Sequence, residues 1–172
     1  MIKLLKISTL SSIFLLLAVA LQAQKFGHMN SGNILVLMPE TKVADEQLKV
    51  FQDSLITIGE ERAKKLEEEF NAFVAEYRQG NIPPATAQKR QAEFQQKEAE
   101  LEELEEEIIE MVAAKREQLI APVVDKVQNA INEVGKEGGY TMIFDTSTFN
   151  VILFAHEPDD VEPLVKAKLG VQ

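Results

Sequence analysis

Between Val43 and Ile120 the apolar positions recur with a helical period. On the first half of this stretch they fall at Phe51, Leu55, Ile58, Leu66, Phe70, Phe73 and Tyr77, and steps of three and four return to one face of an α-helix. Leu55, Leu66 and Tyr77 are eleven residues apart, which predicts a straight or slightly right-handed stripe. Glu60 with Lys64 and Glu61 with Lys65 stand four apart in the favoured order for ion pairs along a helix. The pattern breaks at Gly80-Asn81-Ile82-Pro83-Pro84. Glycine closes a helix in the left-handed conformation, and proline opens the next one at its first position. The second helix then carries Phe94, Leu101, Leu104, Ile108 and Met111 at coiled-coil spacing. A connection this short makes the two helices antiparallel neighbours.

At 1.5 Å per residue, a helix from Val43 to Gln79 is about 55 Å long. The returning helix draws level with its start near residue 120, and Pro122 stands there. A proline inside a helical pattern kinks or restarts it, so Pro122 is expected to mark the junction between an arm and a body. Both chain ends supply that body. Phe26 to Asn30 reads as a short strand, followed by the apolar stretch Ile34 to Met38. After Pro122 a further helix is expected to about Val134, with Val123, Val127, Ala130, Ile131 and Val134 on one face and Gly135 and Gly138-Gly139 at its end. Tyr140–Phe144 and Phe149–Phe154 read as two strands joined by the turn-forming Asp145-Thr146-Ser147-Thr148. A last helix is expected from Val161 to Leu169, with Asp159 and Asp160 as caps. The fold class is therefore α+β: a long antiparallel helical hairpin over 43–120, protruding from a small β-rich body built from 24–42 and 121–172. Strands so few and short are marginal alone, which points to an oligomer that pools them.

The first residues change the picture of where the chain works. Lys3 and Lys6 precede an apolar run from Ile13 to Leu21, and small residues follow at Ala18-Val19-Ala20 and Ala23. This is the order of a secretory signal peptide over residues 1–23, with cleavage after Ala23 and Ala20 as the alternative. The apolar run is shorter than the roughly 20 residues of a membrane span, although an uncleaved signal anchor is the competing reading. Cysteine is absent, which excludes both disulfides and lipid attachment at a cysteine. Losing Lys3 and Lys6 would leave 16 basic against 28 acidic residues, a net charge of −12. That balance argues against nucleic acid, which demands a basic face. No apolar run after residue 23 is long enough for stable membrane insertion.

Catalytic chemistry finds little support. His28 and His156 are the only histidines, and no catalytic pattern surrounds either. No nucleophile elbow, phosphate loop or zinc helix is present, so neither an enzyme nor a cofactor is expected. Glu98, Glu100, Glu102, Glu103, Glu105, Glu106, Glu107 and Glu110 run on without an intervening basic residue. They lack the alternating ligands and turn glycine of a calcium loop and read as a solvated helix face.

Three segments then carry a family resemblance. Lys25-Phe26-Gly27-His28-Met29-Asn30 resembles the opening strand of mature Skp/OmpH proteins. Gly139-Tyr140-Thr141-Met142-Ile143-Phe144-Asp145 is similar to their strand after the long helices. Asp159-Asp160-Val161-Glu162, with Lys166-Ala167-Lys168-Leu169-Gly170, is similar to their C-terminal helix. The resemblance implies a periplasmic, ATP-independent holdase: a homotrimer whose β-rich body trimerises and whose arms enclose unfolded outer-membrane β-barrel proteins. Phe51, Phe70, Phe73, Tyr77 and Phe94 are expected mostly to fill the seam between the two helices, with a minority facing clients. Phe73, Tyr77, Ile82 and Phe94 are the candidate client contacts, Ile82 at the turn having the least obvious core to enter. The best-known members are basic. Val43–Ile120 instead holds ten Lys or Arg and nineteen Asp or Glu, net −9, so a lipopolysaccharide-binding patch has no counterpart here. The competing function is a structural coiled-coil scaffold or spacer of the cell envelope.

Overall fold

The computed structural model describes residues 24–172; the expected signal peptide and the cleavage point after Ala23 lie outside the described residues. The elements run β1 (Lys25–Met29), α1 (Ser31–Leu37), α2 (Pro39–Arg78), α3 (Pro84–Gly138), β2 (Tyr140–Asp145), a 3₁₀ turn (Glu157–Asp159) and α4 (Glu162–Leu169). The chain is mostly helical with one strand pair, in keeping with the expected α+β hairpin architecture. The described residues divide into two compact units, 35–126 and 24–34 with 127–172.

The first unit is the hairpin. Helix α2 begins at Pro39, four residues before the apolar stripe suggested, because proline suits the first helical position. It ends in a Schellman motif: Gly80 adopts φ 73°, Asn81 N–H donates to Glu76 O (3.3 Å) and Gly80 N–H to Tyr77 O (3.0 Å). These bonds satisfy carbonyls that the helix end leaves free. Helix α3 opens at Pro84, as expected.

Three ion pairs mark the register of α2 against α3: Glu40 with Lys126, Glu69 with Lys97, and Glu76 with Arg90 (2.8 Å). From Glu40 to Glu69 is 29 residues, and so is the return from Lys126 to Lys97; seven more to Glu76 match seven back to Arg90. The Lys115 ammonium, 5.9 Å above the Phe51 ring, obeys the same register. The helices therefore face each other without a slip. Their seam is lined by half-buried Leu48, Phe51, Leu55 and Leu66 on α2 and Leu101, Leu104, Ile108 and Val112 on α3. Val112 takes the seam place assigned above to Met111, which is exposed. Lys64 pairs with Glu68 (3.9 Å) instead of Glu60.

Pro122 does not end the helix. Helix α3 runs through it for 55 residues, forgoing one backbone hydrogen bond to Gln118. A single buried stripe continues across it, with Val123, Val127, Ala130 and Val134 each at most 7% exposed. Burying these side chains stabilises the continuous helix enough to offset the lost bond. Gly135 lies inside the helix, which gives way only at Gly139, where φ is 67°.

In the second unit β1 and β2 pair in parallel, Phe26 opposite Met142 through Met29 opposite Asp145, with a bulge beside Lys25. Parallel neighbours need a crossover, and here the chain between them comprises α1, α2 and α3. The other edge of β1 is taken by the C-terminal segment: His28 bridges Asp160, and Val161 N–H donates to His28 O (2.9 Å). Met29, Ile34, Val127, Ala130, Val134, Val161 and Val165 form this unit's core. Asp145 ties the end of β2 to the start of α1, accepting from Ser31 N–H (3.1 Å) and Ser31 Oγ (2.5 Å), and from Ser147 N–H and Oγ (both 2.9 Å). Asp160 Oδ1 caps α4 through Glu162 N–H (2.8 Å). Asp159, the other expected cap, lies in the 3₁₀ turn.

The third expected strand, Phe149–Phe154, is not one. Asn150 adopts φ 65°, a left-handed conformation that asparagine tolerates, and Val151 N–H turns back to Thr148 O (3.4 Å). β propensity alone does not hold a strand without a neighbour to pair with, and no edge within the described residues pairs with this one. Its apolar side chains stand in the open: Phe149 is 90%, Leu153 86% and Phe154 77% exposed.

Candidate functional site

Phe70, Phe73 and Tyr77 recur at steps of three and four along α2 and so share a face with its seam. Phe94 meets them from α3. Its ring centroid lies 5.4 Å from both Phe70, edge-on at 87°, and Phe73, tilted at 49°. Phe73 is also 6.4 Å from Phe70 and 6.1 Å from Tyr77. These separations are those of favourable aromatic pairs. Of the four sequence candidates, Phe73, Tyr77 and Phe94 thus join one cluster. Ile82 is half-buried in the connection between α2 and α3.

The cluster is only half closed. Phe73 and Phe94 are half-buried, while Phe70 keeps 44% and Tyr77 56% of its surface exposed. Phe73 and Phe94 also line a groove, together with Ala72, Glu76, Arg90 and Lys97. The ion pairs Glu69–Lys97 and Glu76–Arg90 fence this groove. The hydrogen bond from Lys97 holds the Glu69 carboxyl below its ordinary pKa, against a smaller upward push from desolvation. Exposed pairs of this kind add little to stability, so they can part to admit an apolar side chain. Such a surface can bind and release apolar segments. Phe70 was legible only as a seam residue, because its place at the open rim depends on the packing of Phe94.

The two histidines meet through one ring and one backbone carbonyl. His28 is half-buried on β1, with Nε2 3.1 Å from the His156 carbonyl oxygen, and the His156 ring lies edge-on to Phe154 at 5.2 Å. Among the described residues no group of three or more His, Cys, Asp or Glu side chains is placed to hold a metal ion. No described helix is long and apolar enough to cross a membrane.

No curated protein matches the sequence. Among solved structures, the chain is similar to an OmpH-like protein from Caulobacter crescentus CB15, solved as a candidate outer membrane chaperone. The two superpose with a TM-score of 0.69 at 16% identity, over 85% of this chain and 83% of the other. At that identity the likeness establishes a shared fold. Residues 25–169 match the family of OmpH-like outer membrane proteins, a span that takes in the strand pair, the whole hairpin and the C-terminal helix. The chain is therefore a member of the OmpH-like family.

Proposed function

We propose that this protein is an ATP-independent periplasmic holdase that binds unfolded outer-membrane β-barrel proteins and keeps them from aggregating. The observation that carries the reading is the half-open aromatic cluster on a family-typical hairpin, which leaves apolar surface available to a client. Phe73, Tyr77, Ile82 and Phe94 are its proposed client contacts. An unfolded barrel strand alternates apolar and polar residues and carries aromatic girdles at its ends. Such a segment suits a groove with an aromatic lining and a polar fence. The protein reaches the periplasm through the signal peptide at 1–23, cleaved after Ala23.

The working form is a homotrimer. In one copy the Phe149–Phe154 segment is extensively exposed, and β2 pairs with β1 along one edge. Pooling such segments between copies would supply the sheet that a single chain lacks. A dimeric rod or an open-ended polymer in sedimentation would favour an envelope scaffold instead.

The direct test dilutes a denatured outer-membrane barrel protein from urea into buffer without nucleotide while light scattering is followed. Suppression of scattering by the protein is expected. No suppression at several-fold molar excess of trimer would overturn the holdase reading.

A further inference from the structure

We propose that the side of the hairpin bearing Ile56 and Ile109 docks cationic amphipathic segments of unfolded polypeptides. The inference rests on the holdase reading and specifies the class of client segment it favours.

Ile109 is 69% and Ile56 41% exposed, although each directly follows a half-buried seam residue, Ile108 and Leu55. A step of one residue turns about 100° around a helix. In an antiparallel pair, the residues one step after the seam on either helix come out on the same side of the hairpin. The register that the cross-helix ion pairs mark places Ile109 level with Thr57, next in sequence to Ile56. The two isoleucines lie at one level on one side of the hairpin.

Its surroundings name the occupant. Three glutamates, Glu102, Glu105 and Glu106, precede Ile109 by seven, four and three residues, and one arginine, Arg116, follows it by seven, the spacings that share a helix face; the glutamates outnumber the arginine. All three glutamates are exposed, and among the described residues none takes part in an ion pair. Glu69, Glu76 and Glu40 elsewhere on the hairpin have their cations; these three do not. An apolar side chain flanked by Lys or Arg would cover the isoleucines and bring countercharges to the glutamates. An acidic segment would meet like charge.

The chain contains no tryptophan, so the fluorescence of a Trp-bearing peptide reports binding without background. The probes are a short peptide alternating Leu and Lys with one Trp, and its counterpart with Glu in place of every Lys. The exported full-length protein is compared with Ile109→Gln and with the double variant Glu105→Gln/Glu106→Gln, changes that preserve helix propensity. The Lys peptide should bind the parent protein, less tightly as salt is raised. Each variant should weaken it by about fivefold, and the Glu peptide should not bind. Equal binding of the Lys peptide to parent and variants, or equal binding of both peptides, overturns the proposal. Light scattering with a barrel client separates the two readings. Clients protected by a parent protein that ignores the Lys peptide would refute this surface and leave the holdase intact. A parent that binds the Lys peptide as described yet protects no client would refute the holdase alone.

Discussion

Replacing Gly27 by alanine should destabilise the protein by about 2 kcal/mol through overpacking. Gly27 lies in β1 opposite Ile143 and is buried. A Cβ there would stand 2.9 Å from Val161 Cγ1 and 3.1 Å from two carbons of the Tyr140 ring. Neither neighbour yields easily. Val161 is fully buried and its amide is bonded to His28 O at 2.9 Å. The Tyr140 ring has the Lys25 ammonium 4.0 Å from its centroid, and that ammonium also donates to Gly138 O (3.0 Å). Alanine would lower the entropy of the unfolded chain by a few tenths of a kcal/mol in its own favour, so the steric cost must exceed the measured loss. Urea unfolding followed by circular dichroism, at one fixed protein concentration because association couples to stability, is the assay. With a slope of about 2 kcal/mol per molar urea, the midpoint should fall by about 1 M with the slope unchanged. Val161→Ala alone should also destabilise, by leaving a cavity. The double variant should lose less than the sum of the two, by about 1 kcal/mol, since each change relieves the other. A midpoint shift below about 0.25 M, or strictly additive losses, would refute the close-approach argument.

Three further outcomes are expected. In Asp145, desolvation raises the carboxyl pKa, but the hydrogen bonds from Ser31 and Ser147 outweigh it and hold the group below its ordinary value; its stabilisation is therefore present above the unfolded pKa near 4 and lost as pH falls through the folded one. Asp145→Asn should cost about 1 kcal/mol at pH 7, with a gap from the parent that narrows below about pH 4; a gap unchanged down to pH 3 in urea titrations would refute this. Phe94→Ala removes the ring that meets both Phe70 and Phe73 at 5.4 Å, and, half-buried as it is, should cost about 2 kcal/mol in thermal unfolding followed at the helix band. Substituting residues 43–120 by a short Gly/Ser linker should leave a smaller trimer that no longer protects clients, whereas a monomer in sedimentation would place the association in the helices.

What could be read ahead of the structure was whatever chemistry acts between near neighbours in the chain. The connection at Gly80 and Pro84 was legible because a left-handed residue and a fixed proline φ are local requirements. The alternating and β-branched or aromatic residues of β1 and β2 were legible as strand candidates, and Asp160 as a side chain able to accept from the first amide of the last helix. The helical stripe likewise put Phe73 and Tyr77 on one face of α2, where Phe73 meets Phe94. The resemblance in the two strands and the C-terminal helix pointed to the family that the match over 25–169 establishes.

Tertiary structure decided the rest, wherever a local preference met a distant neighbour. Pro122 reads as a break, yet the buried stripe from Val123 to Val134 carries α3 through it, since burial along the helix outweighs one missing hydrogen bond. Phe149–Phe154 has strand chemistry but forms a turn, since a strand exists only against a partner. Exposure of Ile109 depends on which face of α3 packs against α2, a helix far away along the chain. Gly27 looks like a weak strand residue until Val161 and Tyr140 close on it. Periodicity within one segment thus determined which helices and strands could form, and packing between segments distant in sequence determined where they ended and which faces they left open.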